Sequence, residues 1–375
     1  MAEDQAFDVM IVGAGPAGVS TWLHLKRAAP GLADHTVLID RAAFPRPKLC
    51  GGGLWAWGTE ILDGLEVELA IPGLLRSAVA FRFRDRQWLY RSPKPFHMVP
   101  RTDFDAALVA AAVARGAVLH EAEHFLSARC MDDGVRVQTS RGRYRVKALV
   151  GADGSLSVVR RTLMGAAPCG LGPALQVSTP ADRPDDQAPL QIDFSPVAEG
   201  LQGYVWHFPG LQDGRPARHH GVVDFRLRRA ATRADLPGLL RRALRGRDPA
   251  LAAGAFARHP IRWFAPDVPI ARPGVLLVGD AAGIEPALGG GLHLALAYGA
   301  LAAGQLQAAF DRGDFTFQDY PAALQADAVG RHIADFSRLA QTIYSGRQNP
   351  LDAVRDFFTA RLMRRQLAAL LRGRA

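Results

Sequence analysis

Cysteine is scarce: three residues in a chain of 375. Cys50, Cys130 and Cys169 make no disulfide framework and no CxxC pair, so neither a stapled scaffold nor a thiolate metal site is expected. That usage suits a reducing, cytoplasmic compartment. Long apolar runs are missing as well. None reaches the roughly 18–20 residues that cross a bilayer. The longest stretch low in charge, Gly283 to Phe310, is broken by Pro286 and by Gly289-Gly290-Gly291. The acidic start, MAEDQAF, runs straight into an apolar strand and does not read as a secretion signal. There is no internal repeat and no nucleic-acid-binding motif. The second absence matters because the net charge is +9. The excess, mostly arginine, is spread over Arg82–Arg91, Arg141–Lys147, Arg226–Arg247 and Arg361–Arg374. A nucleic-acid partner is therefore not expected. Anionic cofactors, anionic substrates or a membrane surface account for the bias equally well. Hydrophobic content of 49% with 22% charged residues describes a globular chain, with length for two or three domains.

What is present is ordered punctuation. Phe7–Val12 (FDVMIV) suits a buried parallel strand. Gly13-Ala14-Gly15-Pro16-Ala17-Gly18 follows, then a helical pattern through Val19, Trp22, Leu23 and Leu25, then a second apolar run ending at Asp40. Gly13 permits the tight turn, Gly15 lets a pyrophosphate approach the backbone, and Gly18 lets the helix pack on the sheet. The helix N-terminus offers free N–H groups to phosphate. Asp40 is spaced to accept from ribose hydroxyls, with Arg41 beside it. The whole context predicts dinucleotide binding.

Two further stations lie downstream. Arg101 opens a helix that Thr102 or Asp103 can cap and that ends at Gly116. Val118–Cys130, Val135–Thr139 and Tyr144–Val150 then read as a three-stranded antiparallel meander, ending in Gly151-Ala152-Asp153-Gly154. Val275–Val278 is another apolar strand, running into Gly279-Asp280-Ala281-Ala282-Gly283, with a long helix from Leu292.

The stretch PRPKLCGGGLWAW, Pro45–Trp57, is the least like a core element. Three consecutive glycines carry a large entropy cost on ordering, so something there requires a bare backbone. Gly203-Tyr204-Val205-Trp206-His207-Phe208-Pro209 is a strand whose Tyr204, Trp206 and Phe208 share one face. That face suits a sheet core and a ligand cavity alike. Trp55 and Trp57 either join it or pack in the core, and His207 points the other way.

GAGPAG with Asp40, Arg101, GADG at 151–154 and GDAAG at 279–283 resemble the signatures of para-hydroxybenzoate-hydroxylase-type flavoproteins. The stretch from Pro45 to Gly53 and the GYVWHFP strand resemble the geranylgeranyl reductase branch of that family. The resemblance implies an α/β (α+β overall) fold: a Rossmann-like FAD-binding domain with an antiparallel-sheet substrate domain. It implies FAD as the cofactor, its ADP half on Gly13, Gly15, Ala17, Gly18, Asp40 and Arg41. Arg101 would lie near the pyrophosphate, Asp280 by the ribityl chain and pyrophosphate, and the backbone near Phe125 against adenine, with Asp153 also among the cofactor-binding residues. Cys50, Gly51 and Gly53 would lie against the flavin ring. Gly290, Gly291 and Leu292, at the helix start, would face its N1 and C2 carbonyl. Trp55, Tyr204, Trp206 and Phe208 would line the substrate pocket. Family members often carry Gly-Glu-Gly where this chain has Gly289-Gly290-Gly291, and Glu285 is an unexpected acid, read as a solvated loop residue in preference to a proton donor.

On this basis the FAD domain spans 1–72, 100–170 and 265–312, the substrate domain 73–99 and 171–264, and C-terminal helices 313–375. The expected chemistry is hydride transfer from flavin N5 to a C=C bond of an isoprenoid, lipid or related natural product. Cys50 is the candidate acid, and Lys48 would neutralise an anionic substrate or flavin. NAD(P)H or a ferredoxin would supply electrons. A monooxygenase or dehydrogenase of secondary metabolism on the same scaffold stands as the alternative, a non-catalytic flavin carrier as a third reading. The basic half of the tail helix, Leu351–Leu371, either docks on the core or touches an anionic membrane at the inner face. The oligomeric state is not legible.

Overall fold

The structure is a computed structural model and describes residues 4–165, 170–181, 188–228, 233–245, 247 and 255–372, with side chains through 363. Cys169 and residues 182–187 lie outside the described residues.

The first apolar run forms the strand Val9–Val12, buried at every position. It is central in a six-stranded sheet ordered Ala271–Arg272, Val275–Leu277, Ala148–Gly151, Val9–Val12, Thr36–Ile39, Val118–His120. All pairs are parallel except the Ala271–Arg272 edge. Fully apolar strands with this pairing need cover on both faces. One cover is the helix Pro16–Ala28, which packs on the long helix Gly291–Arg312. Contact there is close enough that a Cβ on Gly299 would lie 2.3 Å from Ser20 Oγ, and Ser20 itself donates to Leu296 O at 2.6 Å.

The meander forms differently from its sequence expectation. Val118–His120 belongs to the parallel sheet, as does Ala148–Gly151. The antiparallel strands are Phe125–Met131, Gly134–Thr139 and Arg143–Val146, joined by Gln5–Ala6 in parallel. The run from Val118 to Cys130 breaks at a turn in which Ala122 takes φ 54°. No glycine advertises that turn. The helix after Pro100 begins at Arg101 itself and carries no side-chain cap, so neither Thr102 nor Asp103 caps it.

An eight-stranded sheet is ordered Ala257–Arg258, Ala174–Pro180, Arg215–Asp224, Gly203–Gln212, Leu190–Asp193, Leu74–Phe83, Arg86–Met98, Gly53–Leu54. It is mixed, because Leu190–Asp193 pairs parallel with Leu74–Phe83. One face, carrying Tyr204 and Trp206, packs with the helices Ala328–Tyr344 and Pro350–Arg372. The other, carrying Val205 and Val222, is covered by Leu236–Arg245. That helix is opened by Asp235, which accepts from the Gly238 N–H at 3.1 Å. The tail helix docks through Leu351, Val354 and Phe358, all buried, while Leu362 and Met363 are exposed. Among the described residues no helix is long and apolar enough to cross a membrane.

Candidate active site

Gly13 ends the central strand with φ 105°, and a Cβ there would lie 2.4 Å from Ala152 O. Gly18 faces the Gly13 carbonyl so closely that a Cβ would lie 1.9 Å from it. Both positions therefore need glycine, one for the turn and one for the packing. Gly15 is the N-cap of Pro16–Ala28, and no side chain caps that helix. Its first N–H groups are free to meet an anion. Asp40 Oδ2 accepts from Ala14 N and Oδ1 from Ala42 N, each at 2.9 Å, so the acid fixes the turn as well as facing it. Arg41 is exposed beside it. Ala17 is buried below Gly279, where a Cβ would meet its own at 2.6 Å. Phe125 is buried at the start of its strand.

The GDAAG segment is held by its carbonyls. Arg160, 1% exposed, donates to Ala281 O at 2.7 Å, Ala282 O at 3.2 Å and Pro269 O at 3.1 Å. Tyr320 donates to Leu277 O at 2.9 Å, Tyr298 to Gly283 O at 2.9 Å and Tyr344 to Ala287 O at 2.6 Å; Tyr204 donates to Leu288 O. Buried loop carbonyls must find donors, and here they come from four tyrosines and one arginine remote in sequence. Asp280 is thereby set facing Lys48, Arg101 and Arg262; burial raises its pKa and those cations pull it back. Asp153 accepts from Val158 N and Val159 N with Oδ2, while its buried Oδ1 has no partner among the described residues.

Arg101 pairs in a fork with Asp105, at 2.8 and 2.9 Å, and also reaches Cys50. Arg46 lies 3.3 Å from the same carboxylate. Lys48 Nζ is 2.6 Å from His259 Nε2. Neither Arg160, Arg46 nor His259 was singled out by the sequence.

The loop of glycines follows Lys48 and Cys50 past Asp280. Gly52 has φ 78°, and a Cβ on it would lie 2.6 Å from Val99 O. A Cβ on Gly51 would lie 2.8 Å from the Phe208 ring and 3.6 Å from Trp206 Nε1. Gly53 meets nothing closer than Met98 at 3.8 Å, so its freedom is not required by contact. The aromatic strand thus stands directly behind Gly51. Trp206 lies over Gly221, where a Cβ would be 2.1 Å from its ring, and its buried Nε1 has no partner among the described residues. Cys50 Sγ accepts from Gly52 N at 3.4 Å, and Gln176 donates to Cys50 O at 3.3 Å. Trp55 packs edge-on to Phe96 at 5.6 Å and stacks on His293 at 5.0 Å. Partly buried, it packs against the cluster that holds Tyr204 and Trp206.

Glu285 corrects an expectation. It is not a solvated loop acid: its exposure is 0%. It accepts from Ala287 N at 2.6 Å, Leu288 N at 3.0 Å and Gly290 N at 2.5 Å. Burial raises its pKa, and those three N–H groups work against the shift. A sequence reading misses this because the acid's partners are main-chain groups. Glu285 shapes the loop that delivers Gly290 and Gly291 to the start of Gly291–Arg312, a helix without a side-chain cap. Leu292 lies buried in its first turn. Glu285→Ala leaves three N–H groups without their acceptor and is expected to cost about 3 kcal/mol, read from urea unfolding; a loss within error of zero contradicts the role.

These features fit an FAD. The cradle at Gly13 admits no Cβ, the helices Pro16–Ala28 and Gly291–Arg312 both start without a side-chain cap, and Trp206 holds a buried N–H with no partner among the described residues. Comparisons with known proteins agree. An FAD binding domain family matches residues 6–175. Digeranylgeranylglycerophospholipid reductase 2 of Methanopyrus kandleri is 30% identical over 79% of this chain and 76% of its own length. Menaquinone reductase of Mycolicibacterium smegmatis is 30% identical over 79% of this chain and 75% of its own. Among solved structures, a geranylgeranyl bacteriochlorophyll reductase-like protein from Thermoplasma acidophilum superposes with a TM-score of 0.74. It is 20% identical, with 91% of this chain and 88% of that one covered.

Proposed function

The chain belongs to the geranylgeranyl reductase family of FAD-dependent oxidoreductases, and from that premise we propose that it saturates C=C bonds of an isoprenoid chain carried by a lipid or quinone. The observation that carries this reading is the stack of Gly51 on Phe208 and Trp206. It sets a bare main chain beside the aromatic face of Tyr204, Trp206 and Phe208, an apolar lining of the kind an isoprenoid chain needs. Bound FAD supplies the hydride, from N5 of its reduced ring.

The remaining work falls to the protein. An isolated alkene has no carbonyl to polarise it, so the second carbon needs a proton from a positioned acid in a dry pocket. Cys50, in the loop between Arg101 and the aromatic strand, is the proposed acid. Tyr204, Trp206, Phe208 and Trp55 exclude water from the chain. Cys50→Ala is expected to lower kcat about 100-fold with FAD content unchanged; unaltered turnover removes the assignment. The two-unit division of the chain, and contact of the basic tail with a lipid surface, belong to the same proposal. Incubation of reduced enzyme with a polyprenyl lipid and with menaquinone tests it. The expected product gains hydrogen and no oxygen; a hydroxylated product favours the monooxygenase alternative.

A further inference from the structure

Lys48 and His259 meet across 211 positions of sequence, with Nζ and Nε2 2.6 Å apart. The ammonium donates and Nε2 accepts, which puts the ring proton on Nδ1. Ser155 Oγ lies 3.3 Å from the same Nε2. His259 hangs from the large sheet's edge, its own N–H donating to Ala174 O at 3.1 Å. Ser155 follows the parallel-sheet strand Ala148–Gly151. The pair therefore joins the edge of one sheet to the glycine-rich turns of the other.

The charges around it are unbalanced. Lys48 faces Asp280 and Cys50 but also Arg101 and Arg46. His259 faces Lys48, Arg101, Arg41 and Arg46. Arg46 Nη2 lies 3.4 Å from where a Cβ on Gly15 would be, at the uncapped start of Pro16–Ala28. Five cations (Lys48, Arg41, Arg46, Arg101 and Arg262) and a helix N-terminus thus face two acids, and one of these, Asp105, is already shared by Arg101 and Arg46. Partly buried like charges are held together at a cost unless an anion joins them. A doubly charged pyrophosphate at a helix N-terminus is the anion this geometry fits.

We propose that Lys48 and His259 form a proton-linked clamp on the pyrophosphate of FAD, Lys48 gripping a phosphate oxygen as an ammonium and His259 steering it there from the sheet edge. The inference rests on FAD binding alone and is independent of the substrate. Burial lowers the Lys48 pKa to about 8, with Asp280 opposing and Arg101 reinforcing. Burial, then Lys48 and the arginines, lower that of His259 to about 4, which keeps the ring neutral as an acceptor. A phosphate beside Lys48 raises its pKa. The sign follows: below pH 8 the lysine is charged with or without FAD, and affinity is flat. Above pH 8 binding takes up a proton, and affinity falls toward about tenfold per pH unit.

The test uses holoenzyme diluted to equilibrium, with released flavin read by its fluorescence, from about pH 6 to about pH 10. Wild type is expected to hold FAD evenly to pH 8 and then to weaken about tenfold by pH 9. Lys48→Met is expected to bind about 10- to 100-fold more weakly at pH 7 with no slope between pH 8 and 9. Lys48→Arg should bind tightly and evenly through that range, and His259→Phe should weaken binding several-fold at pH 7. Wild-type affinity in Lys48→Met at pH 7 overturns the clamp. A slope that persists in Lys48→Arg assigns the proton to another group and also overturns it. Circular dichroism identifies a variant that fails to fold, and the arginine variant then decides.

Discussion

A Gly13→Ala variant is expected to purify without its flavin. The residue sits at φ 105°, and the added Cβ would lie 2.4 Å from the carbonyl oxygen of Ala152. That oxygen belongs to the backbone of a neighbouring loop, where Ala152 N is tied to Val12 O at 2.8 Å, so it has little room to move away. Backbone strain of about 1–3 kcal/mol adds to the collision. Together they correspond to a loss of at least about 100-fold in FAD affinity. Much of this strain falls on the turn itself, so the apoprotein should lose less stability than the complex does. The ratio of flavin to protein absorbance in the purified variant, and its Kd for added FAD, measure the effect. Wild-type affinity would show that the turn does not cradle the cofactor.

The second large effect is expected at Arg160. Its guanidinium satisfies the carbonyls of Ala281, Ala282 and Pro269. Arg160→Met leaves buried acceptors without those donors, at about 4 kcal/mol in all. Asp280 sits one residue before the first of these carbonyls, so the change should displace its carboxylate too. Lys cannot restore the set, because one ammonium does not present a rigid fork in three directions. Urea unfolding of wild type, Arg160→Met and Arg160→Lys checks this. Both variants should unfold at clearly lower denaturant and release FAD. A lysine variant as stable as wild type would mean that charge, not the fork, holds the segment.

What the sequence made legible were the features whose cause is local. GAGPAG between two apolar runs declares its turn because only glycine meets the steric demands there, and the structure realises Gly13 and Gly18 in that way. The alternation of Tyr204, Trp206 and Phe208 gave the inward face of its strand. The glycine run at 51–53 marked a bare backbone, and Gly51 and Gly52, though not Gly53, stand too close to Phe208 and Val99 for a Cβ. What stayed hidden depends on partners remote in the chain. Arg160 clamps carbonyls more than a hundred positions away, and nothing about an arginine at a helix start announces that. His259 is a lone histidine until the fold sets Lys48 against it. Glu285 looked solvated because acids in glycine-rich loops usually are; its own loop folds around the carboxylate and hides it. The break at Ala122 lacks a glycine, and the parallel pairing of Leu190–Asp193 with Leu74–Phe83 is set only when the sheet assembles.

Reduction of a C=C bond by the bound flavin is the central claim, and anaerobic single turnover tests it most directly. Holoenzyme is reduced, freed of excess reductant and mixed with a polyprenyl lipid in the absence of oxygen, while flavin absorbance and product mass are followed together. The expected result is return of oxidised flavin in step with saturation, one double bond per flavin. Flavin that stays reduced until air is admitted, with a product that has gained oxygen instead of hydrogen, would contradict it.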